Sequence, residues 1–344
     1  MNYQDKVKFT FCAYLKEGFG CQTFHKLFKE SKSEDEFFLY LKHNFQSELS
    51  KLQEFLEKLD KYNIKYICYW EETYPEKLKQ LVNPPIILFY IGNISLLKED
   101  VMGIIGTRKP SDLGIKNALY FSKELVKHFV IASGLAFGVD IIANKVSASI
   151  ESKSIVVVPG SLIKVHPYTH QGIYNDILKN KGLAISEYPF TDSIDKGSFV
   201  LRNRILAGIC KSILIIESPR KGGSMLTAKI ASDISTDLYS IPGNIDWYSY
   251  EGNNDLIKHE MAHFVTSPSD ILRKENKPVV SDSEFIPNKN EYLILQSILK
   301  HGGLDLIYDD LKNELSFESI CDIMLNLEMN GIITRNISGS YRLI

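Results

Sequence analysis

The chain has 344 residues, of which 44% are hydrophobic and 24% charged, with a formal net charge of −2 at pH 7. That length exceeds one small core and implies two or three domains. The nearly neutral balance excludes a global electrostatic pull toward nucleic acid or acidic lipid, so any polyanion site has to be a local patch.

Residues 1–63 read as a helical domain, with helical spacing over Tyr3–Lys16, Cys21–Phe28 and Asp35–Leu59. From 64 to 272, short β-rich runs alternate with helical segments. The predicted strands are Val101–Ile105, Val130–Ala132, Ile155–Val158, Leu183–Ser186, Ile213–Ile216 and Leu238–Ile241. This alternation predicts an α/β fold with a Rossmann-like parallel sheet, and near-continuous apolar runs suit strands buried on both faces. A polar stretch over 273–290, holding Pro278 and Pro287, reads as a linker. Residues 291–344 read as three helices and a short hairpin with a Ser-Gly turn, the order of a winged-helix module. The third of those helices carries Glu318, Asp322 and Glu328 and no Lys or Arg, which argues against groove reading by it. The start MNYQDKVKFTF shows no signal peptide, and no apolar run approaches a bilayer span. The five cysteines form no Cys-x-x-Cys pair, so reduced thiols in a cytoplasmic protein are expected.

Ligands of parallel sheets bind at the carboxyl ends of the strands. There the chain places Gly106, Thr107, Arg108 and Lys109, with Ser111 positioned to cap the following helix. After the second strand come Ser133 and Gly134; after the third, Pro159-Gly160-Ser161 and then His166-Pro167-Tyr168. Lys221, Gly222, Gly223 and Ser224 open another helix after the fifth strand, an arrangement suited to anions. Neither a Walker A loop nor G-x-G-x-x-G occurs, no metal-ligand spacing is present, and no nucleophile triad stands out, so no cofactor, metal or catalytic residue is expected. In the run Phe199–Arg204, Arg202 and Arg204 would lie about 200° apart on a helix, one toward a ligand and the other free for a structural ion pair. Glu187 and Glu217 are the strand-end carboxylates that could serve as acid or base, or else pair with these arginines. Several phosphate-suited turns with Arg108, Lys196, Arg202 and Lys221 match an extended backbone better than one nucleotide.

The ordered motifs GIIGTRKPSDLG, SGLAFGVDIIA, SEYPF, KGSFVLRNRILAG, ESPRKGGSMLTA and SIPGN resemble the DprA/Smf family of DNA-processing proteins over residues 64–344. The resemblance implies a SAM-like helical start, an extended Rossmann-like domain that binds single-stranded DNA, a winged helix, a homodimer, and loading of RecA recombinase during natural transformation. It implies phosphate contacts at Arg108, Lys196, Arg202, Asn203, Arg204 and Lys221 to Ser224, and no enzyme. The chain departs from the common pattern at Phe137, Asn144, Gly223 and Tyr168; Phe137 or Tyr168 offers a ring to stack on a base. The competing expectation is a nucleotide-processing, phosphoribohydrolase-like enzyme of the same broad fold, which Pro159-Gly160 and Gly222-Gly223-Ser224 echo in pieces.

Overall fold

The structure, a computed structural model, describes residues 1–278, 288–329, 332–336 and 339–343. The chain divides into two compact units, Met1–Lys277 and Pro278–Ile344.

The first unit opens with helices α1 (Tyr3–Leu15), α2 (Cys21–Glu30), α3 (Glu34–Phe45) and α4 (Leu49–Lys61). Ser33 caps α3 by accepting from the Glu36 amide, and acidic residues fill its first turn with Lys42 and His43 in its last, as the helix dipole favours. The helix expected to run unbroken over 35–59 is two helices, parted by a 3-10 turn at Gln46–Glu48. No glycine or proline marks the break; the buried Glu48 in the turn pairs with Lys16 (3.2 Å) and Lys51 (2.9 Å). Residues 1–63 and 64–272, read from the sequence as two domains, fall in one compact unit. Phe11, Phe24, Phe37 and Phe38 share one apolar cluster with Phe89, Val156 and Ala184 of the sheet.

The sheet follows as β1 (Lys65–Cys68), α5 (Glu76–Lys79), β2 (Ile87–Gly92), β3 (Val101–Ile105), α6 (Asp112–Leu125), β4 (Val130–Ser133), α7 (Val139–Ala148), β5 (Ser154–Val157), α8 (Gln171–Lys179), β6 (Leu183–Ser186), α9 (Lys196–Ile209), β7 (Ser212–Ile215), α10 (Gly223–Asp233), β8 (Asp237–Ser240), α11 (Glu251–Lys258), β9 (His263–Phe264) and α12 (Pro268–Lys274). All six strands read from the sequence are present, within a residue at each end. The order is β1-β2-β6-β5-β4-β3-β7-β8-β9. The six strands read from the sequence run parallel, and β2 and β1 extend the sheet at one edge, where β1 pairs antiparallel with β2 and β2 antiparallel with β6. The connection from β1 to β2 holds one short helix, the four-residue α5. Alternate residues split the sheet between two cores. Ile155, Val157, Leu183 and Ile185 point to one, and Val156 and Ala184 to the other.

The chain leaves β3 toward β4, β5 and β6, then returns to place β7 on the other side of β3. The carboxyl ends of β3 and β7 therefore form the switch point where open α/β sheets bind ligands.

The second unit holds α13 (Lys289–His301), α14 (Leu304–Leu311), α15 (Phe317–Met329) and the antiparallel pair β10 (Ile333–Arg335) and β11 (Tyr341–Leu343). Its own core joins Ile294, Ile298, Ile307, Leu311, Ile320, Leu327 and Ile333. This is the helix, helix, helix, hairpin order read from the sequence; Ser338 of the expected turn lies outside the described residues. So does the middle of the expected linker, 279–287 with Pro287, while Arg273 and Lys274 close α12 and Lys289 and Asn290 open α13.

Candidate nucleic-acid interface

Backbone hydrogen bonds stitch the loops after β3, β4 and β7 together. The Thr107 amide donates to the Glu217 carbonyl at 2.7 Å, and the Val139 amide donates to the Thr107 carbonyl at 3.2 Å. Gly138 sits at φ 80° where α7 begins, and a Cβ there would overlap the Thr107 carbonyl. Only glycine serves both demands.

These loops and one face of α9 enclose a cleft of about 310 Å³. Gly106, Thr107 and Arg108 line it from the β3 loop, Ala136 and Asp140 from the β4 loop and α7, and Gly222, Gly223, Ser224 and Thr227 from the start of α10. Lys196, Phe199, Arg202 and Asn203 contribute from α9. Asp195 and Ser198 form a reciprocal cap that starts α9 at Lys196.

Arg202 is buried at 4% exposure, and its Nη1 lies 3.7 Å from Asp140 Oδ2. The guanidinium fills the space above Gly134, where any Cβ would overlap it, and the Gly134 amide donates to Asp140 Oδ2 at 3.2 Å. Burial pushes the Asp140 carboxyl up and the Arg202 guanidinium down from their ordinary values, each opposed by the other's charge. The nearby Arg108 favours the ionised Asp140 and disfavours a charged Arg202, so it adds positive potential to the cleft. Arg108 itself is exposed, with its guanidinium 4.5 Å from the Phe199 ring centre. Neither Arg108 nor Lys196 pairs with a carboxylate among the described residues. The cleft thus gathers Arg108, Lys196 and Arg202 against Asp140 alone.

Of the helix starts expected to favour anions, the structure separates those of α6 and α10. At α6 the protein supplies its own anion: Glu217 Oε2 accepts from the Ser111 amide at 3.0 Å and the Ser111 hydroxyl at 2.8 Å. That start is therefore closed to a phosphate, and Glu217 pairs with Ser111 rather than with either arginine. At α10 the cap is Gly222, which has no side chain to offer, and Gly223 and Ser224 open directly into the cleft.

Of the residues singled out in the sequence, Gly106, Thr107, Arg108, Lys196, Arg202, Asn203, Gly222, Gly223 and Ser224 come together here. Asn203 Nδ2 reaches the Gly223 carbonyl at 3.4 Å. Gly134 acts from behind Arg202. Ser133 is buried and donates to the Ile104 carbonyl at 2.7 Å, joining β4 to β3 instead of facing the cleft. Lys109 and Lys221 are exposed and do not line the cleft. Arg204 is a correction: it leaves the cleft and is held by Glu187, as one of the two arginines was free to be.

Tyr168 is 52% exposed and connects to the cleft wall through rings. Its centroid lies 5.8 Å from that of His166, which lies 6.1 Å from Phe199. Lys164 Nζ sits 4.4 Å from the Tyr168 ring centre. Phe137 is 50% exposed and rests edge-on against His170, with centroids 4.7 Å apart. Asn144, another departure from the family pattern, is buried and accepts from the Leu135 amide at 3.1 Å, a structural use. Sequence reasoning named no role for Asp140 or Phe199. The signal for Phe199 was available in the helical spacing of Lys196, Phe199 and Asn203 on one face.

The family described as DNA recombination-mediator protein A matches residues 65–276. The protein Smf of Synechocystis sp. is 32% identical over 224 residues, 64% of this chain and 56% of that protein's length. The DNA processing protein DprA of Streptococcus pneumoniae is 31% identical over 234 residues, 68% of this chain and 80% of the relative. Its solved structure has a TM-score of 0.65 at 25% identity, covering 79% of this chain and 98% of that one. DNA processing protein A from Helicobacter pylori, whose structure addresses its single-stranded DNA binding mode, has a TM-score of 0.54 at 28% identity, covering 62% of this chain and 96% of that one. With the sheet and every cleft-lining loop inside the matched stretch, the chain belongs to the DNA recombination-mediator protein A family.

Proposed function

We propose that this protein binds single-stranded DNA by its phosphate backbone at the switch-point cleft, and as a homodimer in the cytoplasm helps load RecA recombinase on that strand during DNA uptake or recombination. The observation that carries the reading is the cleft itself. Among the described residues Arg108 and Lys196 stand there without carboxylate partners beside the uncapped start of α10. Forked and point cations around free amides suit phosphate oxygens. The half-buried rings of Phe199 and His166, running out to the exposed Tyr168, suit unstacked bases, which a duplex does not present. Family membership and the single-strand-binding relative from Helicobacter pylori support the same reading.

A binding role is favoured over hydrolysis by the fate of the carboxylates. Asp140 faces Arg202, Glu187 holds Arg204 and Glu217 holds Ser111, which leaves no free carboxylate at the cleft among the described residues to act as acid or base.

Fluorescence anisotropy with equal-length single-stranded and duplex oligonucleotides at two salt concentrations tests the proposal. Single strands of any sequence are expected to bind more tightly; equal or tighter duplex binding overturns it. In the same preparation, light scattering is expected to report a dimer at micromolar concentration and immobilised RecA to retain it.

A further inference from the structure

The two arginines of α9 part in opposite directions, and the second meets a buried chain of contacts that the cleft does not use. Arg204 is 7% exposed, and its Nη2 donates to both oxygens of Glu187 at 2.7 Å. Its Nε and Nη1 are buried with no hydrogen-bond partner among the described residues. Glu187 follows β6, and its backbone carbonyl accepts the hydroxyl of Tyr14, in the last turn of α1, at 3.0 Å. The Tyr14 ring packs in turn on Phe55 of α4 and Phe89 of β2, at centroid distances of 5.9 and 5.3 Å. A continuous path thus runs from the N-terminal helices through Glu187 to the helix that carries Lys196, Phe199 and Arg202 into the cleft.

A buried ion pair is a poor source of net stability, because removing both charges from water offsets their attraction, and here two guanidinium nitrogens go unused as well. What such a pair does impose is direction. Replacing it by apolar side chains would leave α9 free to settle at another rotation, and a few degrees at its axis moves the tips of long side chains by more than a hydrogen bond tolerates.

We propose that Arg204 and Glu187 are positioning residues that set the rotation of α9, and that Tyr14 ties this setting to the N-terminal helices. The proposal rests on the single-strand-binding reading for its affinity readout, and it separates Arg204 from the phosphate ligands among which sequence reasoning placed it.

The test uses the full-length chain, a fluorescent single-stranded oligonucleotide titrated across a salt series, and amide hydrogen exchange of the free protein over residues 196–204. Glu187→Gln and Arg204→Met are each expected to weaken binding roughly five- to tenfold while leaving the dependence of affinity on salt unchanged. Both are expected to speed exchange over 196–204, and Arg204→Lys to recover part of each loss. A fall in the salt slope of about 0.7 would make Arg204 a phosphate ligand and overturn the proposal. Folded variants with unchanged affinity would overturn it as well. Tyr14→Phe, which keeps the ring packing, serves if the others fail to fold. It is expected to weaken binding about twofold with the same slope, and unchanged affinity and exchange would break the link to the N-terminal helices. A wild-type protein that binds no single strand would sink the proposed function alone, and exchange over 196–204 would still decide whether the pair holds the helix.

Discussion

Arg108 illustrates how much a single side chain draws from its surroundings. Gly106 brings the backbone to the rim of the cleft, the Thr107 amide is spent on Glu217, and the Phe199 ring gives the guanidinium a face to lie on. The fork is left free to grip one phosphate with two hydrogen bonds. Arg108→Ala is therefore expected to weaken binding to every single-stranded sequence alike by about 1.5–3 kcal/mol, roughly ten- to hundredfold. The salt slope should fall by about 0.7, the value of one lost contact to a single strand. Arg108→Lys should restore only part, since a point charge lacks the fork. The residue is exposed and circular dichroism should be unchanged. An anisotropy titration showing wild-type affinity and slope in a folded Arg108→Ala protein would place the phosphate-binding edge elsewhere.

At the scale of elements, the fate of each helix start decides where an anion can go. The start of α6 is taken by Glu217, that of α9 by its own cap Asp195, and that of α10 stands open. Asp195 is held below its ordinary pKa first by the Ser198 amide and then by the Ser198 hydroxyl. A carboxylate whose folded-state pKa is depressed stabilises the fold above its unfolded value, and that contribution is lost as pH falls through the folded value. The cap therefore holds at neutral pH and fails only in acid. It also leaves a negative charge next in sequence to Lys196, a residue of the cleft wall. Asn caps helices as well as Asp does. Asp195→Asn is accordingly expected to keep the circular dichroism spectrum and to tighten single-strand binding about twofold at low salt, a gain that fades as salt screens the charge. Unchanged or weaker affinity at low salt would show that strands do not enter past the start of α9.

At the scale of the whole molecule, the N-terminal helices and the sheet share one apolar cluster, whereas residues 278–344 have a core of their own. The second unit presents Glu318, Asp322 and Glu328 on α15 and no Lys or Arg there. Phosphate is repelled by such a helix. Truncation after Pro278 is expected to leave a folded, cooperatively melting protein whose single-strand affinity lies within about threefold of the full chain. A loss of about tenfold or more, 1.4 kcal/mol, would show that the second unit contributes to the strand-binding surface. Among the described residues no helix is long and apolar enough to cross a membrane.

Local pattern was enough to read the six parallel strands, the order of their glycine- and hydroxyl-rich loops, the family they resemble, and the divergence of Arg202 and Arg204. The resemblance rests on the ordered motifs; the rest follows from periods of two or 3.6 residues and from turn chemistry a few positions long. The antiparallel edge of β1 and β2, the break before α4 and the joining of the N-terminal helices to the sheet were not legible, because no nearby residue marks them. Nor could local pattern say which arginine turns to the cleft or which helix start stays open. Those outcomes are set by partners far along the chain: Glu217 reaches Ser111 across 106 residues, and Tyr14 reaches Glu187 across 173. The sequence by itself determined which elements and which phosphate-suited loops exist. The tertiary structure decided their use, because the rotation of a helix and the partners of its free amides depend on whatever the fold packs against them.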